Sequence, residues 1–306
     1  MSEFSLTGLN GCNPLGYLAA LGTLRVTTMM YPELKVRMRW QSIGGWRPSL
    51  LIAKELDVNQ WITGLDSFLR RPDGDYAFTI AKDLSIPCPV FREHVLACCS
   101  DSKNQDRTYA DFMAAFGSEI VESVVNGKKT GNIADTAFRT MGGAGHQHFL
   151  GSMYELTQNT DATHLRTALL QNWKYDDPRP SLRWDPFDDR RYAQRWTDPS
   201  KDPSKTVRGA NRLAIEALPL FPTAPNGTRL ETTGFTQGRG QNVIWTWPIW
   251  ENPIDVDILR SLLALKELQN IVVDREYLYK MGIVEVYRSR RITNGKYRNF
   301  SIAFPA

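Results

Sequence analysis

The chain of 306 residues is 42% apolar and 23% charged, and its formal net charge is +4 at pH 7. This composition is typical of a folded globular protein whose length allows one large domain or two ordinary ones. It excludes a membrane-spanning helix, because no segment approaches the roughly 18 consecutive apolar residues that such a helix needs. The first residues, MSEFSLTG, lack a positive region followed by a hydrophobic block, and we therefore expect no secretory signal.

The four cysteines favour a reducing compartment. Cys12 and Cys88 are isolated, whereas Cys98 and Cys99 are adjacent. This spacing suits neither a zinc site nor an ordinary disulfide. We therefore expect free thiols, a cytoplasmic location and no metal or other cofactor.

The first predicted unit is a strand, a glycine-containing loop and a long helix. A strand is predicted around residues 4–9, and Asn13 followed by Pro14 is typical of a helix start. The helix is predicted over Pro14–Met30, ending before Pro32. The loop glycines follow neither the G-x-G-x-x-G pattern nor the G-K-S/T pattern, which favours a tight entry into the core over a nucleotide site. These glycines are Gly8, Gly11 and Gly16.

Helices and strands alternate along the rest of the chain without a regular βαβ period. In chain order, the patterns predict a strand at 35–40, a turn at 44–46, a helix at 49–71, a strand at 77–84, helices at 91–99, 106–123, 147–157 and 161–172, an irregular polar stretch at 176–209, a helix at 209–217, strands at 228–235 and 242–248, a helix at 254–267 and three final strands. We therefore expect an α+β fold of mixed helices and antiparallel sheet.

The sequence NGKKTG at 126–131 is the best candidate for an internal linker. It predicts an N-terminal α+β domain at 1–125. A C-terminal α+β domain at 132–306 would contain a tryptophan-rich region and a basic hairpin.

The strongest local signal lies near the C-terminus. Asn294-Gly295 between two strand-like runs predicts a two-residue hairpin turn, which would place Arg291 directly opposite Arg298. Residues 287–306 carry five basic groups and no acid, whereas the other 286 residues sum to a net charge of −1. The tip is either a solvated surface or a positively charged projection that binds phosphate groups. Its candidate contacts are Arg288, Arg290, Arg291, Lys296 and Arg298, with Asn294 for a base edge and Tyr287, Tyr297 and Phe300 for stacking.

A second candidate strip is GFTQGRGQ, residues 234–241. Its glycines expose backbone N–H groups beside Arg239, which suits a phosphate backbone, although a flexible hairpin loop has the same composition. The residues chosen here are Gln237, Gly238, Arg239 and Gly240. Glycines also accompany Arg139 in the segment 137–149, where a plain turn is the simpler interpretation.

Two other functions stay open. His146, His148 and the aspartates Asp185, Asp188 and Asp189 suggest a metal-dependent nuclease, but arginines in the same segment can pair with the carboxylates. The segment WTWPIW and its neighbouring tryptophans suggest instead a sealed core or a subunit interface, as in an assembly adaptor. Serine hydrolase, kinase and dinucleotide patterns are absent, and we predict that the protein is not an enzyme.

Residues 9–26 follow the pattern L-x-G-C-x-P-L-x-Y-L-x-A-L-G-x-L-R-V. This stretch resembles the N-terminus of the large, Cas8-type subunits of type I-G (formerly I-U) CRISPR effector complexes. The segments 184–199 and 209–222 are similar to parts of the same group. The chain is shorter than those large subunits and closer in size to the smaller accessory protein of the same loci. The matching residues of the first motif are Gly11, Cys12, Pro14, Leu15, Tyr17, Leu18, Ala20, Leu21, Gly22, Leu24 and Arg25.

The resemblance implies a non-catalytic subunit of an RNA-guided surveillance complex in antiviral defence. Such a subunit contacts guide RNA, recognises a short motif in duplex target DNA and helps to open the strands. Its implied protein partners are the backbone and guide-processing CRISPR subunits and a helicase-nuclease.

Overall fold

A long helix, α1 (Pro14–Met30), lies at the centre of the computed structural model, and its residues from Pro14 to Thr27 are all buried. The Asn13 side chain accepts a hydrogen bond from the backbone N–H of Gly16, and Pro14 occupies the first turn, where no N–H donor is required. Both predicted ends of this helix are confirmed. The structure describes residues 1–70, 76–101, 107–141, 148–178, 180–188, 206–238, 243–294 and 297–306.

The other elements of the described chain are short helices and antiparallel strands. The helices are α2 (Val58–Leu69), α3 (Tyr76–Thr79), α4 (Cys88–Asp101), α5 (Thr108–Phe116), α6 (Phe149–Asn159), α7 (Ala162–Leu170), α8 (Arg208–Ile215), α9 (Val256–Leu263) and α10 (Arg275–Lys280). The strands are β1 (Ser2–Ser5), β2 (Val36–Ser42), β3 (Trp46–Ile52), β4 (Gly117–Val125), β5 (Lys128–Asp135), β6 (Thr223–Asn226), β7 (Arg229–Thr232), β8 (Phe235–Gln237), β9 (Val243–Trp250), β10 (Ile283–Asn294), β11 (Tyr297–Phe300) and β12 (Phe304–Pro305).

Two larger sheets and two hairpins complete the architecture, and the predicted α+β class is confirmed. The first sheet has the strand order β1-β3-β2. The second has the order β11-β10-β9-β8, and β12 also pairs with β10. The pairs β4-β5 and β6-β7 form the hairpins.

Buried aromatic rings join α1 to both larger sheets. Tyr17 of α1 stacks on Trp40 of β2 with ring centroids 5.6 Å apart, and it lies 5.6 Å from Trp247 of β9. Trp250 of β9 donates its indole N–H to the carbonyl oxygen of Met38 at 2.9 Å. Because Trp245, Trp247 and Trp250 are all buried, the segment WTWPIW forms core rather than a platform for bases.

The helices α1 and α8 pack closely enough to touch backbone to backbone. A Cβ atom on Gly22 would lie 1.8 Å from the carbonyl oxygen of Leu213. Beside this contact, buried Glu216 accepts hydrogen bonds from Arg25 and Arg212, both at 2.9 Å. A buried carboxylate is tolerated here because two guanidinium groups compensate its charge.

The opening glycines serve the same close packing. A Cβ atom on Gly8 would lie 2.3 Å from the carbonyl oxygen of Ala168, and one on Gly11 would lie 2.8 Å from Ile249 Cδ1. The predicted role of the glycine loop as an entry into the core is therefore confirmed.

Three predicted elements in the first half are wrong. Residues 46–52 form β3 rather than the start of a helix, because their apolar run fills the central position of a sheet, and the helix begins only after the Asp57 cap. Residues 76–79 are helical instead of extended. The helix predicted to reach 123 ends at Phe116, and β4 follows directly.

The segment 126–131 is part of the β4-β5 hairpin, as its turn and the start of β5, and is not a linker. Asn126 and Gly127 both have positive φ, of 50° and 76°, and connect β4 to β5. The proposed boundary between 1–125 and 132–306 thus falls inside a hairpin, and one buried core cluster contains residues from both sides of it.

The predicted irregular stretch at 176–209 is only partly described. Its residues at 176–178 and 180–188 hold a single short 3₁₀ turn, Pro186–Asp188. Within the described segments, no helix is both long and apolar enough to cross a membrane.

Candidate nucleic-acid interface

The C-terminal hairpin exists, but its predicted register is wrong by two residues. Thr293 pairs with Arg298, and Arg291 pairs with Phe300. Asn294 pairs with Tyr297 and is therefore a strand residue rather than a turn residue, and Arg291 and Arg298 are diagonal neighbours on one face instead of opposite partners.

The register shift keeps every side chain of β11 on its predicted face, because the side-chain period of a strand is two, and it changes only which residues lie opposite each other. Phe300 is buried on this face, and its ring lies 5.7 Å from Trp245 and 6.3 Å from Phe138. The predicted use of Phe300 as a stacking surface is accordingly wrong.

Arg291 and Arg298, here called the arginine pair, point toward the segment that follows β5. Arg291 Nη1 donates to the carbonyl oxygen of Ala137 at 2.6 Å, and Arg298 Nη1 approaches that of Arg139 at 3.5 Å. Burial and, to a smaller extent, the positive charge of Arg298 lower the pKa of Arg291 to about 10. Neither member forms an ion pair with a carboxylate in the described part of the chain.

Arg288 and Arg290 lie on the opposite face of β10. Arg288 donates to the backbone carbonyls of Leu268, Asn270 and Ile271, and so it anchors the loop after α9. Arg290 is exposed, and its guanidinium carbon lies 5.6 Å from the centroid of the Phe304 ring. Among the four described hairpin arginines, Arg290 is therefore the one that is exposed to solvent and ligands.

The second candidate strip lies at the same end of this sheet. Gln237 of β8 and Arg291 of β10 both pair with Val243, so they flank β9 on its two sides. Gln237 is exposed, and Gly238 is partly exposed. Described residues of both predicted strips thus lie at one end of the sheet, with β9 between them. Arg239, Gly240, Lys296 and the side chains of Asn294 and Tyr297 lie outside the described residues.

The residues of the nuclease alternative are only partly described. Asp185 accepts hydrogen bonds from Asn13 Nδ2 at 3.1 Å and from the Tyr175 hydroxyl at 3.0 Å. Burial raises its pKa. His148 precedes α6, whereas His146, Asp189 and the side chain of Asp188 lie outside the described part. Among the described side chains, no group of three or more His, Cys, Asp or Glu is placed to hold a metal ion.

Sequence reasoning missed two parts of this surface. No role was predicted for Phe304, which lies beneath Arg290, and the carbonyls of Ala137 and Arg139 carry no sequence signal for contact with the hairpin. Regular alternation from Phe300 would place Phe304 on the face of Arg291, whereas Phe304 pairs with Arg288 after the irregular residues 301–303.

Comparison with known proteins adds no relative: the chain matches no family model, and no curated protein matches it.

Proposed function

We propose that this protein is a non-catalytic subunit that binds nucleic acid with the exposed end of its C-terminal sheet. The observation that carries the proposal is the uncompensated positive charge on β10 and β11. Among the described residues, none of the four arginines at positions 288, 290, 291 and 298 is paired with a carboxylate. Proteins that bind nucleic acid derive much of their affinity from such cations facing phosphates.

The larger assembly is proposed from the resemblance of the opening motif to CRISPR subunits. Two of the resembling segments, 9–26 and 209–222, cover most of α1 and of α8, which pack against each other in the core. The likeness therefore concerns residues that build the fold, and the basic sheet end would add the contact to target DNA and guide RNA. We propose cytoplasmic action beside backbone and guide-processing subunits and a helicase-nuclease, with recognition of a short duplex motif.

Replacing Arg290 tests the nucleic-acid contact with little risk to folding, since this side chain is exposed. We expect Arg290→Gln to weaken binding to a short DNA duplex and to reduce the slope of log K against log salt by about 1. The slope is measured by fluorescence anisotropy between about 50 and 200 mM salt. Arg37→Gln, an exposed arginine of β2 in the other sheet, is the matched control.

Equal salt slopes for the wild type and Arg290→Gln would exclude from the interface the outer face of β10, which carries Arg288 and Arg290. Failure of the wild type to bind duplex or single-stranded nucleic acid at low salt would overturn the proposed function.

A protein-binding role has one specific observation in its favour. Ile271 and Val272 are 92% and 84% exposed, and Ile302 is 79% exposed. Exposed apolar side chains of this kind mark protein interfaces when they are contiguous. An adaptor function predicts a stable complex with partner proteins in the absence of nucleic acid, and size-exclusion chromatography after nuclease treatment measures it.

A further inference from the structure

We propose that the arginine pair, Arg291 and Arg298, is a binding site for one phosphodiester group. This inference rests on the proposed function. It assigns a ligand of defined chemistry to the inner face of the hairpin, which is the face that carries Arg291 and Arg298. It separates the inner face, which would hold a phosphate between two guanidinium groups, from the outer face with Arg290.

The first step is the position of the two side chains. Because Arg291 pairs with Phe300 and Arg298 pairs with Thr293, the two arginines are diagonal neighbours on one face of the hairpin. Their guanidinium groups both reach the same short backbone segment, at Ala137 and Arg139. The two like charges repel each other, since the charge of Arg298 contributes to the lowered pKa of Arg291, and an anion between them would relieve this repulsion.

The second step is the charge around the pair. Arg139 carries a third guanidinium nearby, and it forms ion pairs with Asp83 and Asp135. Those two carboxylates are therefore already paired with one arginine, and Asp135 offsets the charge of Arg291 only at a distance. Three positive charges face two negative ones, which leaves a net charge of +1 in a partly buried environment.

The third step is the set of unused donors. Arg291 uses one Nη atom on Ala137, and its buried Nε has no acceptor among the described residues. Arg298 makes one contact of 3.5 Å, which is at the limit of a hydrogen bond. A buried donor without an acceptor costs free energy, so a ligand that accepts from both forks would stabilise the hairpin.

A phosphodiester fits these donors in charge and geometry. It carries one negative charge, which equals the local excess, and its two non-bridging oxygens can each accept from one guanidinium. A carboxylate from a partner protein has the same charge, and the experiment below separates the two anions.

The test uses dimethyl phosphate as a probe and compares it with acetate and chloride at equal ionic strength and pH. We expect dimethyl phosphate to raise the Tm of the wild type by about 2 °C relative to chloride. Arg298→Gln is expected to lose this rise, and Arg37→Gln, in the other sheet, to keep it. Arg298→Lys keeps the positive charge but lacks the planar guanidinium that can bind an anion through two parallel hydrogen bonds. This variant should therefore retain only part of the rise in Tm.

Nucleic-acid binding supplies an independent readout. Arg298→Gln should reduce affinity for single-stranded DNA about tenfold and lower the salt slope by about 1. Nucleic-acid binding that Arg298→Gln leaves unchanged would overturn the phosphate site and leave the proposed function standing. A Tm rise lost in Arg298→Gln without any nucleic-acid binding would support the site and overturn the function. An equal rise in acetate, or none in dimethyl phosphate, would overturn the site.

Discussion

Asp185 shows how a single carboxylate ties the polar segment after α7 to the beginning of α1. Its side chain is 2% exposed, and it accepts hydrogen bonds from Asn13, from Tyr175 and from the backbone N–H of Phe187. Burial raises its pKa because these donors only partly replace the lost hydration. The residue that suggested a nuclease in the sequence therefore has a structural role that accounts for its contacts.

Replacing Asp185 by Asn should change how the free energy of unfolding depends on pH. Since the folded protein binds the Asp185 proton more tightly than the unfolded chain, the wild type loses stability relative to the variant as pH rises above 3.8. Urea unfolding of both proteins at acidic and at neutral pH measures this difference. Asp257→Asn, at a carboxylate that is 84% exposed, is the control. The prediction would be contradicted if the wild type became more stable relative to the variant as the pH rises.

At the scale of elements, the contact between α1 and α8 depends on the absence of a side chain at Gly22. The nearest atom to an added Cβ is backbone, so no side-chain movement can relieve the clash. Gly64 in α2 differs, because its added Cβ would meet two side-chain ends, the flexible Met30 Cε at 3.1 Å and the Tyr31 hydroxyl at 3.9 Å.

Gly22→Ala should therefore destabilise the protein by more than about 3 kcal/mol, since the two helices must separate. Gly64→Ala is the matched control and should be neutral or stabilising by up to about 1 kcal/mol, because alanine is the better helix former. Denaturant unfolding measures both variants. Similar losses for the two variants would refute the close contact.

Each element also shows what local signals can predict. The cap and the two prolines around α1 act within a few residues, and both ends of that helix were predicted correctly. The apolar run 49–52 has no such local marker, and only its neighbours β1 and β2 make it a strand. The candidate interface follows the same rule: the charge cluster and its division between two faces of the hairpin follow from composition and strand alternation, whereas the residue opposite each arginine and the carbonyl that it contacts depend on the tertiary structure.

At the scale of the whole molecule, the core connects the two halves of the chain. Trp40 and Tyr17 from the first half contact Trp247 and Trp250 from the second. Hydrophobic burial shared in this way couples the stability of both halves.

We therefore expect one cooperative unfolding transition. Denaturant titrations followed by tryptophan fluorescence and by far-UV circular dichroism should have the same midpoint. Two separated transitions would instead support independent domains at 1–125 and 132–306.

The sequence alone determined the central helix, the α+β class and the concentration of positive charge near the C-terminus, because caps, turns and charge counts are local properties. The tertiary structure decided the hairpin register, the partner of each arginine and the placement of β8 and the hairpin on the two sides of β9. These features depend on which distant segments pair and share the core, and short-range turn and charge patterns do not determine that.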